Sequence, residues 1–311
     1  MKKHILFLSL FTFSLLLTFT ACKKEASSDD NTAEVATHSD DQALFASEVD
    51  AVANDADYAL ESSSSFSGRY QSIQGFQDIS CDVNIALDVA SNPRTITITY
   101  NGSNCFGNRT RTGTVILSMA QGVKWKDAGA QVTITFQNLK ITRVGDNKSV
   151  TINGTQTYTN VSGGLLINLA SAGPITHSIT SNGLSVTFDD ATQRTWQVAK
   201  QRVFTFDGGA VISSSGTHTD GSNTHIAEWG TNRFGRTFFS STPEPLIVRQ
   251  DCDFRLTSGQ VKHVTGGFTA TGTFGLDANG SPTSCPVTGH YYLKIVWTGP
   301  SGNARTVIFP Y

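Results

Sequence analysis

The chain has 311 residues, 38% of them hydrophobic, which is enough apolar material to fill the core of one large domain or two ordinary ones. Charged residues make up only 15% of the chain and the formal net charge is -2, so no extended field gathers polyanions, and nucleic acid is excluded as an expected partner. The 28 glycines against 8 prolines, with long stretches of alternating Thr and Ile or Val, indicate many strands joined by tight turns.

Residues 1–21 have the pattern of a bacterial lipoprotein signal peptide. Lys2 and Lys3 precede an apolar run over residues 5–17, and the small residues Thr20 and Ala21 stand before Cys22. Small side chains there give a signal peptidase access, and the cysteine thiol can carry the lipid. The sequence therefore predicts an outer-membrane lipoprotein of the cell envelope, attached through Cys22 and either periplasmic or exposed at the surface. The alternatives are an ordinary cleaved signal peptide or an uncleaved helical anchor.

The segment after the anchor is expected to have two parts. Residues 22–40 are polar and almost free of large apolar groups, so they predict a flexible tether. Residues 41–61 have apolar side chains at intervals of three and four, which predicts one short amphipathic helix that covers the following sheet. Its apolar face consists of Phe45, Val49, Val52, Ala56 and Leu60. Its acidic residues are expected to face away from the protein: Glu48, Asp50, Asp55 and Asp57.

From about residue 67 the hydrophobic period changes to two, which is typical of strands. The clearest eleven are residues 94–100, 112–119, 132–141, 149–158, 175–188, 194–206, 224–229, 245–250, 267–274, 291–297 and 305–309. Turns are predicted where a residue tolerant of positive φ precedes glycine, at Asn101, Asn153, Asn182, Asp207, Asp220 and Asn279. The spacing leaves no room for helical crossovers, so the fold class is all-β: an antiparallel β-sandwich or an extended multi-stranded sheet.

The β region over residues 67–311 contains a weak internal sequence repeat. Cys105 is followed by Arg109, Gly113 and Val115, and Cys252 is followed by Arg255, Gly259 and Val261 in the same order. This pattern indicates two similar halves, residues 67–170 and 171–311. Chance matches in a background rich in Thr and Gly would produce the same pattern.

Four cysteines remain once Cys22 is assigned to the lipid. In an oxidising compartment Cys81, Cys105, Cys252 and Cys285 can form two disulfides, with three connectivities. The local pairs are favoured because each closes a loop of moderate length. The spacing contains no CxxC, and no zinc site is predicted.

Two sets of side chains are candidates for a functional site. His218 and His225 flank the turn at Asp220, so a hairpin can bring them together with Asp220 or Glu228, which is the basis of a hydrolase hypothesis. The second set has flat faces on which sugar rings could stack: Trp125, Trp196, Trp229 and Trp297. The alternatives are a solvated turn for the histidines and core packing for the tryptophans. No catalytic residue, metal or cofactor is predicted.

Several segments resemble uncharacterised β-rich lipoproteins of the Bacteroidota. They include TITITYNGSNCFGNRTRTGTV, EWGTNRFG, PLIVRQDCDFRLTSGQV and TFGLDANGSPTSCPVTGHYYLKIVWTG. The resemblance implies an all-β, lipid-anchored envelope protein and brings no activity with it. We therefore expect a non-enzymatic binding or structural role, whose partners are the membrane and either a glycan or another envelope protein. A glycan-binding module and a hydrolase are the alternatives.

Overall fold

The computed structural model describes residues 29–70, 81–285, 289–300 and 302–311. The signal peptide and Cys22 lie outside the described residues. The described residues contain three α-helices: α1 (Asp29–Ser62), α2 (Ser64–Ser67) and α3 (Leu169–Ala172). The strands are β1 (Val83–Asp88), β2 (Arg94–Ser103), β3 (Arg109–Met119), β4 (Ala130–Arg143), β5 (Ser149–Asn160), β6 (Ile175–Thr180), β7 (Leu184–Phe188), β8 (Gln193–Phe206), β9 (Ala210–Gly216), β10 (His218–Asp220), β11 (Asn223–Thr231), β12 (Thr237–Arg249), β13 (Arg255–Thr265), β14 (Phe268–Leu276), β15 (Tyr292–Thr298) and β16 (Ala304–Pro310).

The described strands form one antiparallel sheet, in the order β1-β2-β3-β4-β5-β6-β8-β11-β12-β13-β14-β15-β16. In two places a pair of short strands fills the space between two long ones: β6 and β7 between β5 and β8, and β11 and β9 between β8 and β12. The prediction of an all-β antiparallel fold preceded by a helix is confirmed, and the sheet is the extended one of the two alternatives.

The sheet wraps around α1. Side chains of this helix contact β2 at Tyr100, β5 at Tyr158, β8 at Arg202 and β13 at His263. Strands so far apart in one sheet can reach the same helix only if the sheet curves around it. The apolar stripe of α1 and the inward residues of β2 to β8 form one continuous hydrophobic core.

The helix is longer than predicted. It begins at Asp29, whereas the sequence predicted a start at residue 41. Residues 29–40 are therefore helical, and the prediction of a flexible tether is wrong for them. The reason lies in contacts that a single sequence does not show: Arg236 donates a hydrogen bond to Glu34 at 2.8 Å, and His38 packs against Phe238 with ring centroids 4.4 Å apart. No helix in the described part of the chain has the length and apolar character needed to cross a membrane.

Two of the predicted turns lie inside strands. Gly102 is within β2 and Gly154 is within β5. Gly154 has φ +117° and opposes a β-bulge in β4, where the backbone amide of Asn138 donates a hydrogen bond to the side chain of Asn153 at 2.7 Å. The Asn-Gly pair therefore accommodates a bulge at this position and does not end the strand.

Candidate functional site

Acidic residues of α1 are buried against the sheet, contrary to the expectation that they face solvent. Glu48 is 1% exposed and forms an ion pair with Arg109 of β3. Arg111, also on β3, donates two hydrogen bonds of 2.7 Å to Asp82 and one of 3.1 Å to Asp55. The prediction that Glu48, Asp55 and Asp57 point away from the protein is wrong, because cations on the strands neutralise the inner side of the helix.

A second polar cluster lies around Asp57. The Tyr158 hydroxyl donates a hydrogen bond to Asp57 and lies 2.8 Å from Nδ1 of His177, whose ring is fully buried. Arg202 adds a 2.6 Å hydrogen bond to Asn54 on the same helix. Burial raises the pKa of Tyr158 well above its ordinary value, so the phenol stays a hydrogen-bond donor. Asp57, Tyr158, His177 and Arg202 are buried, and their contacts fix α1 in the sheet.

The end of α1 is held by a buried carboxyl group. Glu61 accepts hydrogen bonds from the backbone amides of Leu166 at 2.5 Å and Ile167 at 3.1 Å. Burial raises the pKa of Glu61 to about 7. This contact ties the helix to the loop that precedes α3.

Near the other end of α1, two buried histidines pack against each other. The ring centroids of His38 and His263 are 4.5 Å apart, and the Ser240 hydroxyl lies 2.8 Å from Nδ1 of His263. Burial, the main cause in both cases, lowers the pKa of His38 to about 2 and that of His263 to about 4. Both rings are therefore neutral near pH 7, and they behave as part of the core.

The histidines of the hydrolase hypothesis do not assemble a site with the nearby carboxylates. His218 stacks on Trp229 with ring centroids 4.0 Å apart, and His225 is exposed. Glu228, its proposed partner, is 1% exposed and turns inward to Lys200, at 2.6 Å. Among the described residues, no group of three or more His, Cys, Asp or Glu is arranged to hold a metal ion.

Two of the four tryptophans are core residues. Trp125 and Trp196 are fully buried, so the prediction of glycan stacking is wrong for both. Trp196 packs edge-on against Phe45 of α1 at 4.9 Å, a contact that a strand sequence cannot reveal. Trp229 and Trp297 are half-buried.

The four cysteines of the described residues pair locally, as the sequence favoured. Cys81 is bonded to Cys105 with Cα atoms 5.1 Å apart, and Cys252 is bonded to Cys285 with Cα atoms 5.7 Å apart. The first disulfide joins the start of β1 to the loop before β3. The second joins the turn before β13 to the loop before β15, and so holds the strands at the C-terminal end of the sheet.

The C-terminal strands leave one apolar face uncovered. Directly opposed residues in an antiparallel ladder share a face, and Trp297 of β15 opposes Ala270 of β14, which opposes His263 of β13. Because His263 contacts α1, this row lies on the helix side of the sheet. We call the following set on that side the C-terminal apolar face: Val261, Phe268, Ala270, Phe274, Leu293, Ile295, Trp297, Val307 and Phe309.

The two sides of these strands differ in character. Leu293, Ile295 and Trp297 alternate along β15 with Lys294 and Val296, which lie on the opposite side. That side carries three Thr of β14 and two Lys, together with the apolar residues Val264, Val296 and Ile308. Such alternation is typical of an antiparallel sheet with one side packed and the other in water. On β13, β14 and β15 the apolar side chains of this set are only half-buried, and Val307 and Phe309 of β16 are each 40% exposed, so the described elements do not cover this face.

The start of α1 lies at the border of this face. Glu34 and Val35 line a small cleft together with Arg236, Thr265 and Phe268. Phe268 belongs to the C-terminal apolar face, so the helix enters the fold at the end of that face.

Comparison of the chain with protein-family models, with curated proteins and with solved structures finds no match. The geometry alone therefore defines the class: an extended antiparallel sheet wrapped around an N-terminal helix, with an open apolar face on its last strands. Sequence reasoning missed this face, although the alternation in β15 was the signal that could have revealed it.

Proposed function

We propose that this chain is a lipid-anchored protein of the bacterial envelope, attached to the outer membrane through Cys22, with a non-enzymatic binding role performed by its C-terminal apolar face. The observation that carries the binding role is the open face itself. Contiguous exposed apolar surface of this kind is typical of an interaction site, because leaving it in water is unfavourable. The signal-peptide pattern before Cys22 supports the anchor, and so does the resemblance to lipoproteins of the Bacteroidota.

The anchor is tested by labelling cells with an alkyne-bearing fatty acid. The wild-type protein should take up the label, and Cys22→Ala should not. The matched control is the double variant Cys252→Ala and Cys285→Ala, which removes two other cysteines, those of a disulfide, but should keep the label. Labelling that persists in Cys22→Ala would overturn the proposed anchor.

The binding role is tested with a photo-crosslinking amino acid placed at one of two adjacent positions of β15. Ile295 lies on the C-terminal apolar face, and Val296 lies on the opposite side of the same strand. In living cells the probe at position 295 should form adducts and the probe at position 296 should not. Equal yields at the two positions would remove the basis for a binding role of this face.

A glycan is the second candidate partner, and the observation that favours it is that Trp297 on this face is only half-buried. Sugar rings stack on aromatic faces, yet their hydroxyl groups also need hydrogen-bond partners. Apart from Arg305, which opposes Trp297, the residues of β15 and β16 on the same face are apolar: Leu293, Ile295, Val307 and Phe309. A glycan array with the wild type and Trp297→Ala separates the two candidates, since specific binding lost in the variant supports the glycan.

A further inference from the structure

The C-terminal apolar face has the composition of a surface that enters a lipid interface. Phe268, Trp297 and Phe309 supply large aromatic rings, and aromatic residues favour the region between lipid headgroups and acyl chains. Leu293 and Ile295 add aliphatic surface between them. Arg305 opposes Trp297 at the edge of the sheet, where its guanidinium can meet lipid phosphate.

The position of this face relative to the anchor is set by α1. The helix starts at Asp29, and its early residues reach the cleft beside Phe268. Seven residue steps separate Cys22 from Asp29, which span at most about 24 Å when fully extended. A strand of nine residues such as β14 is about 30 Å long, so the lipidated cysteine stays within about one strand length of the helix start.

We propose that the C-terminal apolar face docks on the bilayer that holds the acyl chains of Cys22. This inference rests on the proposed lipid anchor and names the partner of the proposed binding face. A short tether already holds the face near the bilayer, so docking costs little further translational entropy. The lipid alone leaves the body free to rotate, whereas a second contact through the face fixes the orientation of the sheet. Two membrane signals also anchor a protein more stably than one.

The test uses the full acylated protein, reconstituted in vesicles of phosphatidylethanolamine and phosphatidylglycerol whose acyl chains are brominated. Bromine quenches tryptophan fluorescence at short range, and Trp297 is the tryptophan on the face. We expect quenching relative to vesicles without bromine, and loss of most of that quenching in Trp297→Phe. The matched control is Trp229→Phe, which removes the other half-buried tryptophan and should keep the quenching.

The outcomes distinguish this inference from the proposed function. An intact mass without acyl chains would overturn the anchor, and with it the docking. Acylated protein whose quenching is absent, or is the same in Trp297→Phe, would overturn the docking and leave the anchor standing. Crosslinks from position 295 to a second copy of the chain or to another protein, in place of lipid, would also overturn the docking and leave a binding role of the face intact.

Discussion

His38 and His263 lie in the core with their ring centroids 4.5 Å apart, and they join the early turns of α1 to β13. Neither nitrogen of His38 has a hydrogen-bond partner among the described residues. This pair marks the place where the covered part of the sheet ends, because the strands beyond β13 carry the open apolar face. The charged group that faces His38 is Arg233, which also lowers its pKa.

The pair predicts a loss of stability in acid. The folded-state pKa values, about 2 for His38 and about 4 for His263, lie below the ordinary value of 6.5. The unfolded chain therefore binds more protons below pH 6.5, and the free energy of unfolding falls as the pH drops from 6.5 toward 4. The limiting slope is about 1.4 kcal/mol per pH unit for each histidine.

The contribution of His38 is isolated with His38→Phe, measured by urea unfolding at several pH values. The variant keeps a ring in the core and removes the titrating group, so its free energy of unfolding should fall less steeply below pH 6.5 than that of the wild type. Replacing the exposed His290 by Gln serves as the control and should leave the slope unchanged. Parallel slopes for His38→Phe and the wild type would contradict the burial of His38.

The ion pairs around α1 predict a large effect of Arg111→Met. Arg111 holds both Asp55 of the helix and Asp82, so its removal leaves two carboxylates in a buried site without their cation. Breaking such a pair costs about 3–5 kcal/mol. Arg249→Met, which removes an exposed ion pair with Asp251, should leave the urea midpoint unchanged. Equal midpoints for the two variants would show that Arg111 is not buried against the helix.

The different burial of Trp196 and Trp297 predicts different losses of stability when each is replaced by Ala. Trp196→Ala opens a cavity between Phe45 and Phe238 and should cost about 3–5 kcal/mol of unfolding free energy. Trp297→Ala removes a half-buried ring and should lower the free energy of unfolding clearly less than Trp196→Ala does. The reverse order in thermal or urea unfolding would mean that the core has been assigned to the wrong part of the sheet.

Much of the fold was predictable from the sequence because period-two alternation is a local signal. It located β2, β3, β4, β5 and β8, where apolar residues alternate with Thr. It missed β13, since Val261 is the one apolar residue on the helix side between residues 259 and 265, where Gly259, His263 and Thr265 are the others. It also placed only the end of β12, a strand interrupted by irregular register around Pro243 and Pro245.

The environment of α1 was not predictable, for a physical reason. An acidic residue is expected in water unless a cation meets it, and the cation that meets Glu48 comes from Arg109, on a strand 61 positions away. The same holds for His177. In the sequence it is an isolated residue on a strand, whereas in the structure it contacts Asp57 and Tyr158. Pairing between a helix and distant strands leaves no trace in local periodicity. The alternation of β15, in contrast, is a local signal for the apolar side of the last strands, although it does not indicate whether that side is covered.

Hydrogen exchange of the purified protein, without any partner, tests most directly that α1 lies enclosed in the sheet while the last strands are open. Backbone amides of residues 45–60 should exchange slowest, because they are released only when the whole fold opens, and those of residues 304–310 should be among the fastest of the strand amides. Exchange of residues 45–60 as fast as that of residues 304–310 would contradict the account, since it would place the helix on the outside of the sheet.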